Sequence, residues 1–106
     1  MTRDEALEAL AKHRDAIDAF DLELTNLLNQ RTKVVEEIGR IKATMNLPVY
    51  EPKREDDVFR NVAEHNGGPL TADALKRIFE RIIDEMRSLQ KMRRQGSGSP
   101  PSRDGA

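Results

Sequence analysis

Apolar residues in the first half of the chain recur at alternating steps of three and four: Leu7, Leu10, Ile17, Leu24, Leu28, Val35, Ile38 and Met45. Phe20, Leu27, Val34 and Ile41 widen this stripe on its flank. That period belongs to a helix with one core-facing or coiled-coil-like side. It predicts a helix over 3–45, in which Gly39 sits among strong helix formers at a cost of about 1 kcal/mol. Pro48 and Pro52 forbid its continuation. A second helix is expected over 52–65, with Pro52 in its first turn and Val58, Phe59 and Val62 inward. The run Asn66-Gly67-Gly68-Pro69 is a stop and a turn. Thr71 then reads as an N-cap, with Asp73 in the first turn. The third helix runs to about residue 94 with Leu75, Ile78, Phe79, Ile82, Ile83, Met86 and Leu89 on one face. The expectation is an all-α chain of three helices, one very long, forming a helical domain over 1–94. The Gly/Ser/Pro-rich tail over 95–106 is expected to be disordered.

The length of the first helix implies an assembly. Some 40 residues at 1.5 Å each span roughly 60 Å, whereas a compact chain of this size has a radius of gyration near about 13 Å. A lone chain cannot cover such a stripe. Intertwining of two copies is the simplest remedy, so an intertwined helical-bundle homodimer is expected.

Composition narrows the chemistry. Of 106 residues, 37% are hydrophobic and 35% charged, which is polar for a chain that must bury a core. Aromatics are 4%, which leaves no stacking platform for single-stranded nucleic acid. The net charge of -1, with both signs mixed, argues against a charge-driven nucleic-acid or membrane partner. Cys is absent, so thiol catalysis and thiolate metal sites are excluded. The N-terminus has no apolar signal core and no segment reaches membrane-spanning length. A cytoplasmic location is the default expectation.

The register of the long stripe also turns Arg14, Asp21, Arg31 and Lys42 inward, each three or four residues from apolar neighbours. An unpaired buried cation costs several kcal/mol, so these positions call for anions. Glu51 and Glu55 share a stripe with Val58 and Val62, and Gln90 lies one turn beyond Met86 as an uncharged donor. Taken singly, each has a plainer explanation. An inward Arg snorkels or pairs, Lys42 near a helix end suits the dipole, Asp21 answers an Arg or caps a helix, and Glu55 pairs with Arg54 or Arg60. Together, several cations, a carboxylate and an amide on inward faces make a polar pocket in a bundle core.

The segments HRDAIDAFDLELTNLLNQR, EEIGRIKATMNLPVYEPKRE and RIFERIIDEMRSLQ carry a family resemblance. Over residues of about 5 to 92 the chain resembles the all-helical AroQ class of chorismate mutases. The spacing from Arg14 through Asp21 and Arg31 to Lys42, and the PVYEPKRE stretch, are the specific parts. The resemblance implies a homodimer whose two sites draw residues from both subunits. It implies the Claisen rearrangement of chorismate to prephenate, in the shikimate route to Phe and Tyr, with no metal or other cofactor. Carried over, Arg14 of a partner subunit and Arg31 hold substrate carboxylates. Lys42 bonds a carboxylate and the ether oxygen, and Gln90 donates to the ether oxygen from the other side. Glu55 accepts the ring hydroxyl beside Glu51, and Arg54 lines the site or orients Glu55. Met86 stands where some relatives carry a small hydroxyl residue, and Glu51 where others have Asp.

These residue types suit that chemistry. A doubly negative substrate answers the excess of cations, and Arg binds carboxylates through paired N–H groups. A concerted unimolecular rearrangement asks for a compact near-attack conformer and donors at the oxygen gaining charge, not for a nucleophile. His13 and His65 are given no role. Two readings compete: an isochorismate-pyruvate lyase of the same architecture, and a weakly active helical module that works in complex with a shikimate-pathway enzyme. The basic run Lys91-Met92-Arg93-Arg94 and the tail would serve such docking, or simply solvate a helix end.

Overall fold

The computed structural model describes residues 1–96. It contains three α-helices: α1 (Arg3–Thr44), α2 (Pro52–Glu64) and α3 (Ala72–Gln95). No strand occurs among the described residues. The boundaries fall within one residue of those the pattern predicts. The third helix runs through Gln95 rather than stopping at Arg94, because Gly96 N–H still donates to the Met92 carbonyl at 3.0 Å. The rest of the tail expected over 95–106 lies outside the described residues.

Local chemistry sets the ends. At the start of α1, Glu5 N–H donates to Thr2 Oγ1 at 3.1 Å while Thr2 N–H donates to Glu5 Oε1 at 2.8 Å, a reciprocal capping box. The hydrogen bond from the Thr2 backbone, then that with its side chain, hold the Glu5 carboxyl below the usual carboxylate range. At the other end Asn46 adopts φ 52, a left-handed conformation that Asn tolerates, and Leu47 N–H folds back onto the Lys42 carbonyl at 2.7 Å. Thr71 caps α3 by accepting from Ala74 N–H at 3.1 Å. Between α2 and α3, Asn66 holds the turn from both sides. Its Oδ1 accepts from Gly68 N–H at 3.0 Å and its Nδ2 donates to the Leu70 carbonyl at 2.9 Å. Gly68 takes φ +74, which a side chain would strain.

The chain divides into two compact units, 1–34 and 35 onward. In the first unit the apolar stripe is largely uncovered: Leu7, Leu10, Ile17, Phe20, Leu24, Leu27 and Val34 are exposed, and only Ala6, Ala9, Leu28, Arg31 and Thr32 are half-buried. Arg14 and Asp21, expected inward, are exposed here as well.

The second unit holds the last turns of α1 with α2 and α3. Helices α2 and α3 pack through the half-buried Val58, Phe59 and Val62 against the face of α3 that carries Leu75, Phe79, Ile82 and Ile83. Lys76 lays its ammonium 5.6 Å from the Phe59 ring centre across the same seam. Ile78, expected on the inward face, is exposed, because it lies at the edge of this stripe. Among the described residues Ile83 is the only buried apolar side chain, worth roughly 1.5–3 kcal/mol. The only buried polar residues among them are Lys42 and Gln90. No helix among the described residues is long and apolar enough to cross a membrane.

Candidate functional site

Two polar groups are therefore buried where apolar burial is scarce. Lys42 occupies the last turn of α1, a place the helix dipole favours for a cation, yet its side chain is only 11% exposed. Its ammonium meets three acceptors: Glu51 Oε1 at 2.6 Å, the Val49 carbonyl at 3.1 Å and Gln90 Oε1 at 3.5 Å. An ammonium has three N–H donors, so each has an acceptor here, the one toward Gln90 at the limit of hydrogen bonding. The turn after α1 makes this possible. Pro48 and Pro52 hold the connection in a non-helical course, which leaves the carbonyl of half-buried Val49 free to accept from Lys42.

Gln90 completes the group from α3. Its Oε1 faces Lys42, and its Nε2 donates to the Val35 carbonyl at 3.2 Å. A primary amide carries two N–H bonds, and Val35 uses one. Gly39, one turn beyond Val35, lies under the Gln90 side chain. A Cβ at Gly39 would stand 3.5 Å from Gln90 Cγ, ordinary van der Waals contact.

A second cluster lies beside the first in sequence. Arg87, three residues before Gln90 and so on the same side of α3, grips Glu55 in the first turn of α2. Nη2 donates to Glu55 Oε1 at 2.8 Å and to Oε2 at 2.7 Å, and Nε donates to Oε2 at 3.1 Å. These bonds to Glu55 push the Arg87 guanidinium further above its already high range. The guanidinium also stacks over the Tyr50 ring, 5.1 Å from its centre, and contacts Asp84 at 3.3 Å.

The structure thus brings Lys42, Glu51 and Gln90 into one hydrogen-bonded group. It gives Glu55 a partner other than the two considered from sequence. Arg54 is exposed, and Arg60 bonds Asp57 at 2.6 Å, so neither pairs with Glu55. Met86 is half-buried next to Arg87. Arg31 is half-buried and Arg14 and Asp21 exposed, all three within the first unit. Sequence reasoning missed Arg87, Tyr50 and the carbonyls of Val35 and Val49. A carboxylate on the inward stripe of α2 implies a cation on the facing helix, and that was the available signal for Arg87. Backbone carbonyls leave no trace in composition. Among the described residues no group of three or more His, Asp or Glu side chains could hold a metal ion.

The arrangement groups a buried ammonium, an amide and a carboxylate, with a second carboxylate held by Arg87. The family model "Chorismate mutase type II" matches residues 13–91. The chain is 38% identical over 89 residues to the bifunctional chorismate mutase/prephenate dehydratase of Aquifex aeolicus, covering 80% of this chain and 25% of that protein. It therefore spans about a quarter of that relative's length. It is 27% identical to the chorismate mutase of Methanocaldococcus jannaschii, covering 80% of this chain and 87% of that one. Its structure is similar to form II of a chorismate mutase from Thermus thermophilus, with a TM-score of 0.77 and 29% identity, over 78% of this chain and 94% of the other.

Proposed function

The chain belongs to the chorismate mutase type II family, and on that footing we propose that it converts chorismate to prephenate in Phe and Tyr biosynthesis. The observation that carries this reading is the buried Lys42 with Gln90 beside it, in a fold where nearly every apolar side chain is less buried than these two. A lysine taken out of water costs several kcal/mol unless anions answer it. In the isolated chain Glu51 answers part of that charge, but its own side chain is 48% exposed, so the pair is well screened. A dianionic substrate takes over donors that Glu51 and Gln90 hold in the isolated chain.

The reaction breaks a C–O bond as a C–C bond forms, within one molecule. Negative charge grows on the ether oxygen in the transition state. Lys42 and Gln90 are the donors for that oxygen, the weak 3.5 Å contact between them yielding as it arrives. A preorganised donor that strengthens only in the transition state lowers the barrier rather than merely tightening binding. Lys42 also bonds a carboxylate, through the N–H that Glu51 holds in the isolated chain. Arg31 and a partner subunit's Arg14 hold the carboxylates and fold the substrate into its reactive conformer. Glu55 accepts the ring hydroxyl, with Glu51, Arg54 and Met86 lining the site.

The homodimer belongs to this proposal. The exposed stripe of Leu7, Leu10, Ile17 and Leu24 supports it, since such a face in water calls for a second copy. A cytoplasmic setting goes with the pathway, and a complex with a shikimate-pathway enzyme is the alternative source of full activity.

Incubation of the purified chain with chorismate tests the reading. Loss of chorismate with stoichiometric prephenate supports it. Pyruvate released from isochorismate, with chorismate untouched, points instead to the lyase. Turnover that appears only when a shikimate-pathway enzyme is added points to the partner-dependent module.

A further inference from the structure

Arg87 makes a forked contact with the Glu55 carboxylate, a contact that the proposed reaction does not use. Its fork takes both oxygens of Glu55 at 2.7 and 2.8 Å, both side chains are three-quarters or more shielded, and the Tyr50 ring backs the guanidinium. Tyr50 directly precedes Glu51, the carboxylate on Lys42. Arg87 therefore ties α2, α3 and the connection after α1 together at one point.

Three N–H contacts occupy most of a carboxylate's acceptor capacity. A carboxylate offers about four lone-pair directions. Arg87 takes two on Oε2 and one on Oε1, which leaves Oε1 room for one further hydrogen bond. The direction of that last bond is fixed by the planar fork. A bare carboxylate beside a dianion would also repel it, and the cation at Arg87 removes most of that repulsion while leaving the hydroxyl acceptor in place.

We infer that Arg87 is a positioning residue for the reaction, acting through Glu55: it aims one oxygen of Glu55 at the substrate hydroxyl and cancels the charge that would otherwise repel the dianion. The inference rests on the reading of Glu55 as hydroxyl acceptor in chorismate turnover. A purely structural salt bridge between α2 and α3 is the alternative, and its loss would lower stability in urea unfolding while leaving kcat/KM and KM of the folded protein unchanged.

The test is a double-variant cycle on chorismate turnover with the full chain, using Arg87→Met, Glu55→Gln and both together. Arg87→Met keeps the stem over Tyr50 and removes the fork. It should lower kcat/KM on the order of 10- to 100-fold, with a raised KM as the repulsion returns. In the Glu55→Gln background, where only the more exposed Asp84 carboxylate remains on Arg87, the same change should cost less than about threefold. Equal losses in both backgrounds, or an unchanged kcat/KM for Arg87→Met, would overturn the inference and leave the chorismate reading intact. A wild-type chain without chorismate turnover would remove the reading and the inference together. Should Arg87→Met fail to fold, Arg87→Lys keeps the charge and loses the fork. It should show a smaller loss than about 10-fold that again vanishes with Glu55→Gln.

Discussion

The Gln90 side chain accepts from the Lys42 ammonium at 3.5 Å through one end of its amide and donates to the Val35 carbonyl at 3.2 Å through the other. The amide orientation is thereby set by the protein before any substrate arrives. Gln90→Ala removes both contacts and the second N–H. We expect kcat/KM for chorismate to fall on the order of 10²–10³-fold. Stability should fall by about 1–3 kcal/mol, read by urea unfolding, because Lys42 loses one acceptor. Normal turnover in a folded Gln90→Ala protein would remove this residue from the chemistry.

Gly39 lies under Gln90 in mid-helix, and the space above it admits a methyl group at ordinary contact distance. Gly39→Ala should therefore stabilise the chain, by about 1 kcal/mol in unfolding free energy, through helix propensity alone. Turnover should stay within about twofold, since Gln90 need not move. A destabilised variant would mean that the face at Gly39 is closed by something that leaves no room for a Cβ.

Thr71 caps α3, the helix that carries both Arg87 and Gln90. Thr71→Ala removes the acceptor for Ala74 N–H and should cost about 1 kcal/mol in thermal or chemical unfolding. The cap is remote in sequence from both functional side chains, so kcat/KM well below the melting transition should not change. Loss of turnover without loss of stability would contradict that separation.

Arg14 is exposed in the single chain, as is the apolar stripe around it, and the proposal assigns it to the site of a second copy. Arg14→Ala and Lys42→Ala should then complement each other. Each variant alone lacks one half of every site. Mixed dimers made by co-expression regain one intact site, so random pairing should restore about a quarter of wild-type turnover. Additive inactivity in the mixture would show that both residues act within one chain.

Much of the helical framework is legible in the pattern of residues. The three-four stripe, Pro48 and Pro52, the Asn66–Pro69 turn and the Thr71 cap place the helices to within a residue, because propensity and capping act over a few positions. Periodicity also assigns Lys42 and Arg14 to one inward face. It does not say what covers that face. Lys42 meets α3 and the connection within its own chain and is buried, whereas Arg14 lies in the unit whose stripe stays exposed. The Glu55–Arg87 pair was only half legible: an inward carboxylate on α2 implies a cation on the facing helix, but which one depends on how α2 and α3 cross, and a one-dimensional pattern made Arg54 and Arg60 look nearer.

On the proposed function, the buried Lys42 ammonium sits in the apolar stripe because a dianion binds there. Lys42→Ala, assayed for chorismate loss by absorbance against the wild type, tests it most directly. We expect kcat/KM to fall on the order of 10²–10³-fold while circular dichroism still reports wild-type helical content. A folded Lys42→Ala protein that turns chorismate over at the wild-type rate would contradict the account.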